Sequence, residues 1–292
     1  MSDKKAPPTF IVYLNGARMN PELEGRIKKI AITEKIDHIT IVKMEFADAI
    51  PHVADNEELT PGSEIKIEMG YLDETDELFN GEITGMKIAL QKGSASTCTI
   101  TAKNHLHRLA RIKKSRFYVD MTDTDIIKQI ADEACLGADV DEVGTEHAFV
   151  TQTNQSDFDF IMELAERFNC QVWSEEKKLF FKQNQGNKSE DVVLEQDKTL
   201  ITFHATRQTE SLITEATVVS WDVDKQEAIS GTVTAGDIGG NGPQLVQDSF
   251  GDRVNVVTNR AAIDNNAAEK LAKDILVRNA REFVRATGES EG

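Results

Sequence analysis

Residues Glu64-Ile65-Lys66-Ile67-Glu68-Met69 alternate charged and apolar side chains without a fault. A helix cannot sort a period of two onto separate faces, so this segment is a strand with one wet and one buried side. The turn Thr60-Pro61-Gly62-Ser63 opens it. Similar signals surround it: residues 9–14 read as a strand stopped by the tight-turn pair Asn15-Gly16. Residues 27–32, 38–46, 79–90 and 96–102 add further strand patterns, punctuated by Gly70, Gly81 and Gly85. Six or seven short strands with glycine turns and no convincing helix predict a small barrel or sandwich.

The pattern changes near Arg111-Ile112-Lys113-Lys114. Thr122 and Asp125 have the spacing of a capping box, and Ile126, Ile127, Ile130, Ala131 and Ala134 form an apolar stripe behind them. Ser156 and Asp159 open a second helix that carries Phe158, Ile161, Leu164, Ala165 and Phe168 on one face. Residues 171–174 and 179–181 read as the arms of a hairpin turning at 175–178. Polar residues 183–189 read as a boundary or exposed loop. Strand character returns at 200–205, 212–219 and 226–235, and residues 236–243, with four glycines, read as a flexible surface loop. Asp264 or Asn265 caps a last helix, and 283–287 are again strand-like.

Composition excludes several functions. Fifty Asp+Glu against 33 Lys+Arg give a formal charge of −17, which disfavours a protein that neutralises phosphates along a duplex. Cys98, Cys135 and Cys170 are too few and scattered for a disulfide scaffold or zinc site and read as buried free thiols. The first apolar run, residues 10–14, is too short for a secretory signal or a membrane span. The product is therefore expected to be soluble and made in the cytoplasm.

No motif carries catalysis. His105 and His107 share a face if they lie on a strand, but no third ligand accompanies them. His147 and His204 have no partner that the sequence identifies, and Cys170 lies at a helix end where nothing lowers its pKa. Glu163 and Glu166 fall on the wet side of the second helix, which leaves a glycosidase as a remote alternative. The glycines of 236–242 lack the lysine and the strand–helix context of a phosphate loop, and Asp120, Asp123 and Asp125 lack calcium-loop spacing. Catalytic, cofactor and metal residues are accordingly none. The one patterned charge group is basic: Arg108, Arg111, Lys113, Lys114 and Arg116, which reads as a solvated linker or as a surface for an acidic neighbouring subunit.

The order of a short N-terminal strand, then Leu59-Thr60-Pro61-Gly62-Ser63-Glu64-Ile65-Lys66-Ile67, then Leu78-Phe79-Asn80-Gly81-Glu82-Ile83, resembles the phage late-control protein D family of baseplate hubs. That family is related to the base of the type VI secretion spike protein and to hubs of contractile injection systems. Gln155-Ser156-Asp157-Phe158-Asp159-Phe160-Ile161-Met162-Glu163-Leu164-Ala165 is similar to its "S-D-x-x-F-[LIM]-x-x-L-A" helix, and the last helix with Phe283-Val284-Arg285-Ala286-Thr287-Gly288 to its "A-x-x-x-A … G-x-G" stretch.

The resemblance implies a mainly β fold with an α/β insertion and two barrel-like domains of the phage tail hub type. Residues 1–112 would form the first barrel, 113–186 the α/β middle domain, and 187–292 the second barrel with its helix. The second would be short of its closing strands at the C-terminus, as a fragment or as a variant that another subunit completes. A non-enzymatic homotrimer is implied, adapting a hexameric tail tube to a trimeric central spike within a virion or extracellular particle. Its partners would be the spike, the tail tube and other baseplate proteins, with no direct nucleic-acid recognition and no stable membrane insertion. The alternative is a tail-tube or tube-initiator adaptor of the same machines.

Overall fold

A computed structural model describes residues 8–47, 53–71, 74–90, 92, 95–144, 146–183, 193–196, 198–222, 225–239, 241–258, 262 and 264–290. The N-terminal residues before Pro8 and most of the expected 183–189 boundary lie outside them. The chain divides into two compact units, residues 1–184 and 185–292.

The first unit opens with β1 (Pro8–Leu14), β2 (Ala17–Arg18), the one-turn helix α1 (Pro21–Glu24), β3 (Ile27–Thr33), β4 (Ile41–Ala47), β5 (Glu64–Tyr71), β6 (Glu74–Ala89) and β7 (Thr97–Lys103). They form one antiparallel sheet in the order β2-β1-β5-β6-β7-β4-β3. Asn15 and Gly16 both take positive φ, 49° and 81°, as the tight hairpin turn between β1 and β2 demands. The β5 alternation works as the sequence dictates: Ile65 and Ile67 are buried with Val12, Val42, Met44, Phe46, Ile83 and Ile100. Gly81 is required where β6 meets the end of β7, since a Cβ there would stand 2.2 Å from the Lys103 carbonyl oxygen.

The expected barrel is not formed. Among the described residues the two end strands, β2 and β3, do not pair with each other, and no sheet of the chain is closed. Closure needs two end strands with ladders long enough to satisfy one shear, and β2 has two residues. Met19, Leu23, Val53 and Leu59, from the segments that link strands, cover the apolar side instead. Strand count and glycine turns fix the number of hairpins, not how the ends meet. The fold class is mixed β/α with several open sheets.

The unit continues with β8 (Lys113–Thr122), α2 (Asp123–Glu133), β9 (Gly137–Val140), β10 (Glu146–Ser156), α3 (Asp157–Phe168), β11 (Cys170–Glu175) and β12 (Lys178–Gln183). β8 and β10 form an antiparallel ribbon, and β9 runs parallel to β12 in the sheet β11-β12-β9. Both caps are present. The Asp125 amide donates to the Thr122 hydroxyl at 3.1 Å, and Ser156 and Asp159 form a full capping box. α2 and α3 bury Ile126, Ile127, Ile130, Phe160, Ile161 and Leu164 in a second core with Val172, Leu179 and Phe181.

The second unit contains β13 (Leu200–Arg207), β14 (Glu215–Asp222), β15 (Glu227–Thr234), α4 (Ala235–Ile238), α5 (Asn241–Phe250), β16 (Val254–Val257), α6 (Asn265–Ala280) and β17 (Val284–Ser290). β14 lies between antiparallel β15 and parallel β16, and β13 pairs with β17. Ala268, Ala272 and Leu276 of α6 pack on Ala216, Val218, Ile229 and Val233. A Cβ on Gly231 would stand 2.1 Å from the Glu269 amide nitrogen, so glycine lets α6 approach the sheet backbone to backbone. Among the described residues the expected barrel is absent here too, since a three-stranded sheet and a two-stranded ribbon cannot close. The expected glycine loop is helical for most of its length. Asp237 accepts from the Thr234 amide and hydroxyl at the start of α4, and Pro243 sits in the first turn of α5, where its missing N–H costs nothing. Among the described residues no helix is long and apolar enough to cross a membrane.

Candidate interface site: the basic junction

The five basic residues singled out in the sequence occupy the join between the two cores of the first unit. After β7, His105–Arg108 form one turn of 3-10 helix, and His105, Leu106 and His107 are buried. The two histidines therefore do not lie on a strand. Among the described residues no three His, Cys, Asp or Glu side chains gather as a metal site.

Glu82 is the centre of the first cluster. It pairs with Glu64 and Lys103 in the ladder, on the face opposite the core residue Ile83, and is buried there beside His107. His107 Nε2 lies 2.7 Å from its carboxylate, and Arg108 donates through Nε and Nη2, while Arg111 reaches it at 3.4 Å. Arg108 Nη1 also donates to the carbonyls of Ala134 and Cys135 at 3.1 and 3.4 Å. A cation at the carbonyl end of α2 is favoured by the helix dipole. One arginine thus ties the end of the first sheet to the second core.

Burial pushes the Glu82 pKa up, but hydrogen bonds from Arg108 and His107 outweigh it and hold the carboxyl at about 2. Burial lowers the His107 pKa more than Glu82 raises it, so its imidazole is held neutral. Burial likewise lowers that of His105 against the opposing pull of Glu82, and neither of its ring nitrogens has a hydrogen-bond partner among the described residues.

The second cluster gathers on Asp157, the first residue of α3, which is 5% exposed. Lys114 Nζ stands 2.6 Å from one carboxylate oxygen and Arg116 Nη2 2.8 Å from the other. Arg116 also donates to buried Gln152 at 2.9 Å and pairs with Glu133 of α2. The amide of Gln152 returns a bond to Asp157 at 3.0 Å, and the Tyr118 hydroxyl donates to Gln152 at 3.3 Å. Burial first, then the nearby carboxylates, push the Tyr118 phenol up to about 12. Lys113 stays exposed at the start of β8.

Lys114 and Arg116 are thus not in a linker. They lie on β8, whose outward residues Phe117 and Val119 share a face with Phe149 of β10, and the two phenyl rings stack at 5.6 Å. Sequence reading missed Glu82, Glu133, Gln152 and Asp157. Their partners are remote in the chain, and the only local signal was Asp157 beside the Ser156 cap.

The other candidates are separate. His147 Nε2 lies 2.8 Å from the buried Asp123, and among the described residues it bonds no serine, threonine or cysteine. Glu163 and Glu166 face solvent. Cys98 and Cys170 are buried, whereas Cys135, at positive φ after α2, is exposed.

A family model described as the Alg8 N-terminal domain matches residues 4–282. No curated protein matches the sequence. Among solved structures, the 43 kDa tail protein of prophage MuSo2 from Shewanella oneidensis is similar at 13% identity and a TM-score of 0.72, over 98% of this chain and 83% of that one. A tail protein from Neisseria meningitidis is similar at 12% identity and 0.68, over 98% and 81%. A chain of the Francisella PdpA–VgrG complex is similar at 10% and 0.52, over 90% of this chain and 41% of that one. The fold is that of phage tail proteins, as the hub resemblance implied.

Proposed function

We propose that this chain, which belongs to the Alg8 N-terminal domain family, is a structural hub component of a contractile phage tail or a related injection machine. In this reading three copies form a collar that adapts a hexameric tail tube to a trimeric central spike, within an assembled particle. The observation that carries it is the tail-protein fold extending over 98% of the chain.

Exposed apolar faces support a chain that partners cover. In the β13–β17 ribbon, Phe203 and Ala205 share one side with Arg207, Val284, Ala286 and Gly288, while Thr202, His204, Thr206, Arg285, Thr287 and Glu289 share the other. Its described residues from Ile201 onward are all exposed. An amphipathic two-stranded ribbon is marginal on its own. Phe117, Val119 and Phe149 present a second such face. Of the basic run, Lys113 is exposed and forms no ion pair among the described residues, and Arg111 is exposed beside Glu82; Arg108, Lys114 and Arg116 contribute by fixing the surface that carries them.

Native mass measurement with and without candidate tube and spike proteins tests the reading. Three copies per assembly are expected. Rings of six would instead identify a tube adaptor, and a chain that stays single under every condition would sink the hub assignment.

A further inference from the structure

We propose that the joint between the two cores of the first unit is an acid-operated hinge: when His105 and His107 take up protons, the seven-stranded sheet and the α/β core part while each stays folded. The hinge belongs to a single chain and does not depend on the hub reading.

Polar groups fasten this joint. The buried apolar side chains of the first unit fall into two separate clusters, one on the sheet and one around α2 and α3. The chain crosses between them through the 3-10 turn His105–Arg108, whose Leu106 belongs to the second cluster together with Leu109. Ile39, just before β4, also packs against that cluster. Glu82 takes Arg108, which in turn holds the Ala134 and Cys135 carbonyls. Lys177 pairs with Glu64, and the Val172 amide donates to Asp37 at 2.8 Å. Two cores tied by polar contacts can open at the tie for less free energy than either needs to unfold.

Two imidazoles sit inside the tie. His105 is fully buried, and neither ring nitrogen has a hydrogen-bond partner among the described residues. His107 is nearly as buried, with its Nε2 2.7 Å from Glu82 and 3.4 Å from Arg111 Nη2. The charged groups around the rings are Glu82 of β6, Lys103 opposite it on β7, Arg108 and Arg111. Lys177 reaches in from the β11–β12 turn with the Glu176 backbone, and Glu64 of β5 pairs with that lysine. Glu82 already answers Arg108 and Arg111. A proton on either ring therefore adds a cation to a group in which each carboxylate is already paired, and a buried charge left unmatched is strongly unfavourable.

Burial, with Arg108 at His105 and Arg111 at His107 adding to it and Glu82 opposing, holds both rings below the ordinary 6.5. Water entering an opened joint removes that penalty, so the open form binds the protons first. The joint is then closed most firmly above pH 6.5 and weakens as pH falls below it. Glu82 titrates at about 2 and keeps its charge through this range. Opening carries the Phe117, Val119 and Phe149 face, which belongs to the α/β side, to a new position relative to the sheet.

The test uses the full chain with spin labels on Lys87→Cys and Lys128→Cys, exposed sites of β6 and α2, in a Cys135→Ser background that removes the exposed thiol. Between pH 7.5 and 5.5 the label-to-label distance should lengthen. Over the same range, exchange of the Val172 amide, corrected for its intrinsic rate, should rise up to about tenfold for each histidine that takes a proton. Amides within α2 and α3 should keep their protection. His105→Leu with His107→Gln should hold both readings at pH 5.5 to their pH 7.5 values, glutamine keeping a donor for Glu82. Circular dichroism at pH 7.5 checks that this variant folds; if it does not, His107→Gln alone should cut the exchange response about tenfold. A wild-type distance and Val172 exchange that do not move with pH overturn the hinge. Loss of α2 and α3 protection in step with Val172 also overturns it, because the whole unit is then unfolding. A response that persists in the double variant overturns it as well, by placing the sensor at His38 or His147.

Discussion

Glu82 organises the junction because burial leaves its charge nothing but His107, Arg108 and Arg111 to answer it. Removing one member of such a group leaves the others desolvated, so Glu82→Gln should destabilise the first unit by about 3 kcal/mol in urea unfolding. Acid should act on the same group. Its carboxyl titrates at about 2 in the fold against 4.5 ordinarily, so its contribution, on the order of 3 kcal/mol, is complete above about pH 4.5 and is lost as pH falls toward 2. His107 and His105 have lowered folded-state pKa values. Their contribution is complete above the ordinary 6.5 and declines below it, because the unfolded chain takes up the proton first. The urea midpoint should therefore fall in two stages, below about pH 6.5 and again below about 4.5, and Glu82→Gln should flatten the second. A midpoint constant from neutrality to pH 4 would contradict this account.

Helices and strands here owe their positions to short local signals with measurable cost. Ser156 and Asp159 satisfy each other's backbone and side chain at the start of α3. Ser156→Ala should cost about 1 kcal/mol, with loss of amide protection in the first turn of α3 by hydrogen exchange. At Gly231 the constraint is tertiary. Gly231→Ala places a methyl against the backbone of Ala268 and Glu269, and should cost about 2–3 kcal/mol by forcing α6 off the sheet. Exchange in the same variant should rise across β14, β15 and α6, whose side chains form one core. If the alanine variant keeps wild-type protection there, the close approach is not what holds α6.

Across the whole molecule the alternation at Glu64–Tyr71, the Asn15-Gly16 turn and both helix caps were legible in the sequence, because each is settled by neighbours within a few residues. β8 and β10 were not read as strands. Their polar faces are buried at Tyr118 and Gln152, with Arg116 half-buried beside them, and their apolar faces are exposed through Phe117 and Phe149, so the usual sign of the pattern is inverted. The glycine-rich segment before Gln244 concealed two helices, since α4 depends on a four-residue cap and α5 on apolar residues beyond Pro243. Barrel closure was inferred and is corrected, because strand periodicity carries no information about whether β2 and β3 meet. The basic run was visible as charge, but its counter-ions Glu82, Glu133 and Asp157 lie 17 to 43 residues away. By itself the sequence determined which segments are strands of one wet face, where helices begin, and how acidic the chain is, all consequences of side-chain period and local hydrogen bonding. Only the tertiary structure decided that the sheets stay open and that Arg108, Lys114 and Arg116 are consumed in joining two cores. Those outcomes depend on register between strands far apart in the chain, and register is set by packing.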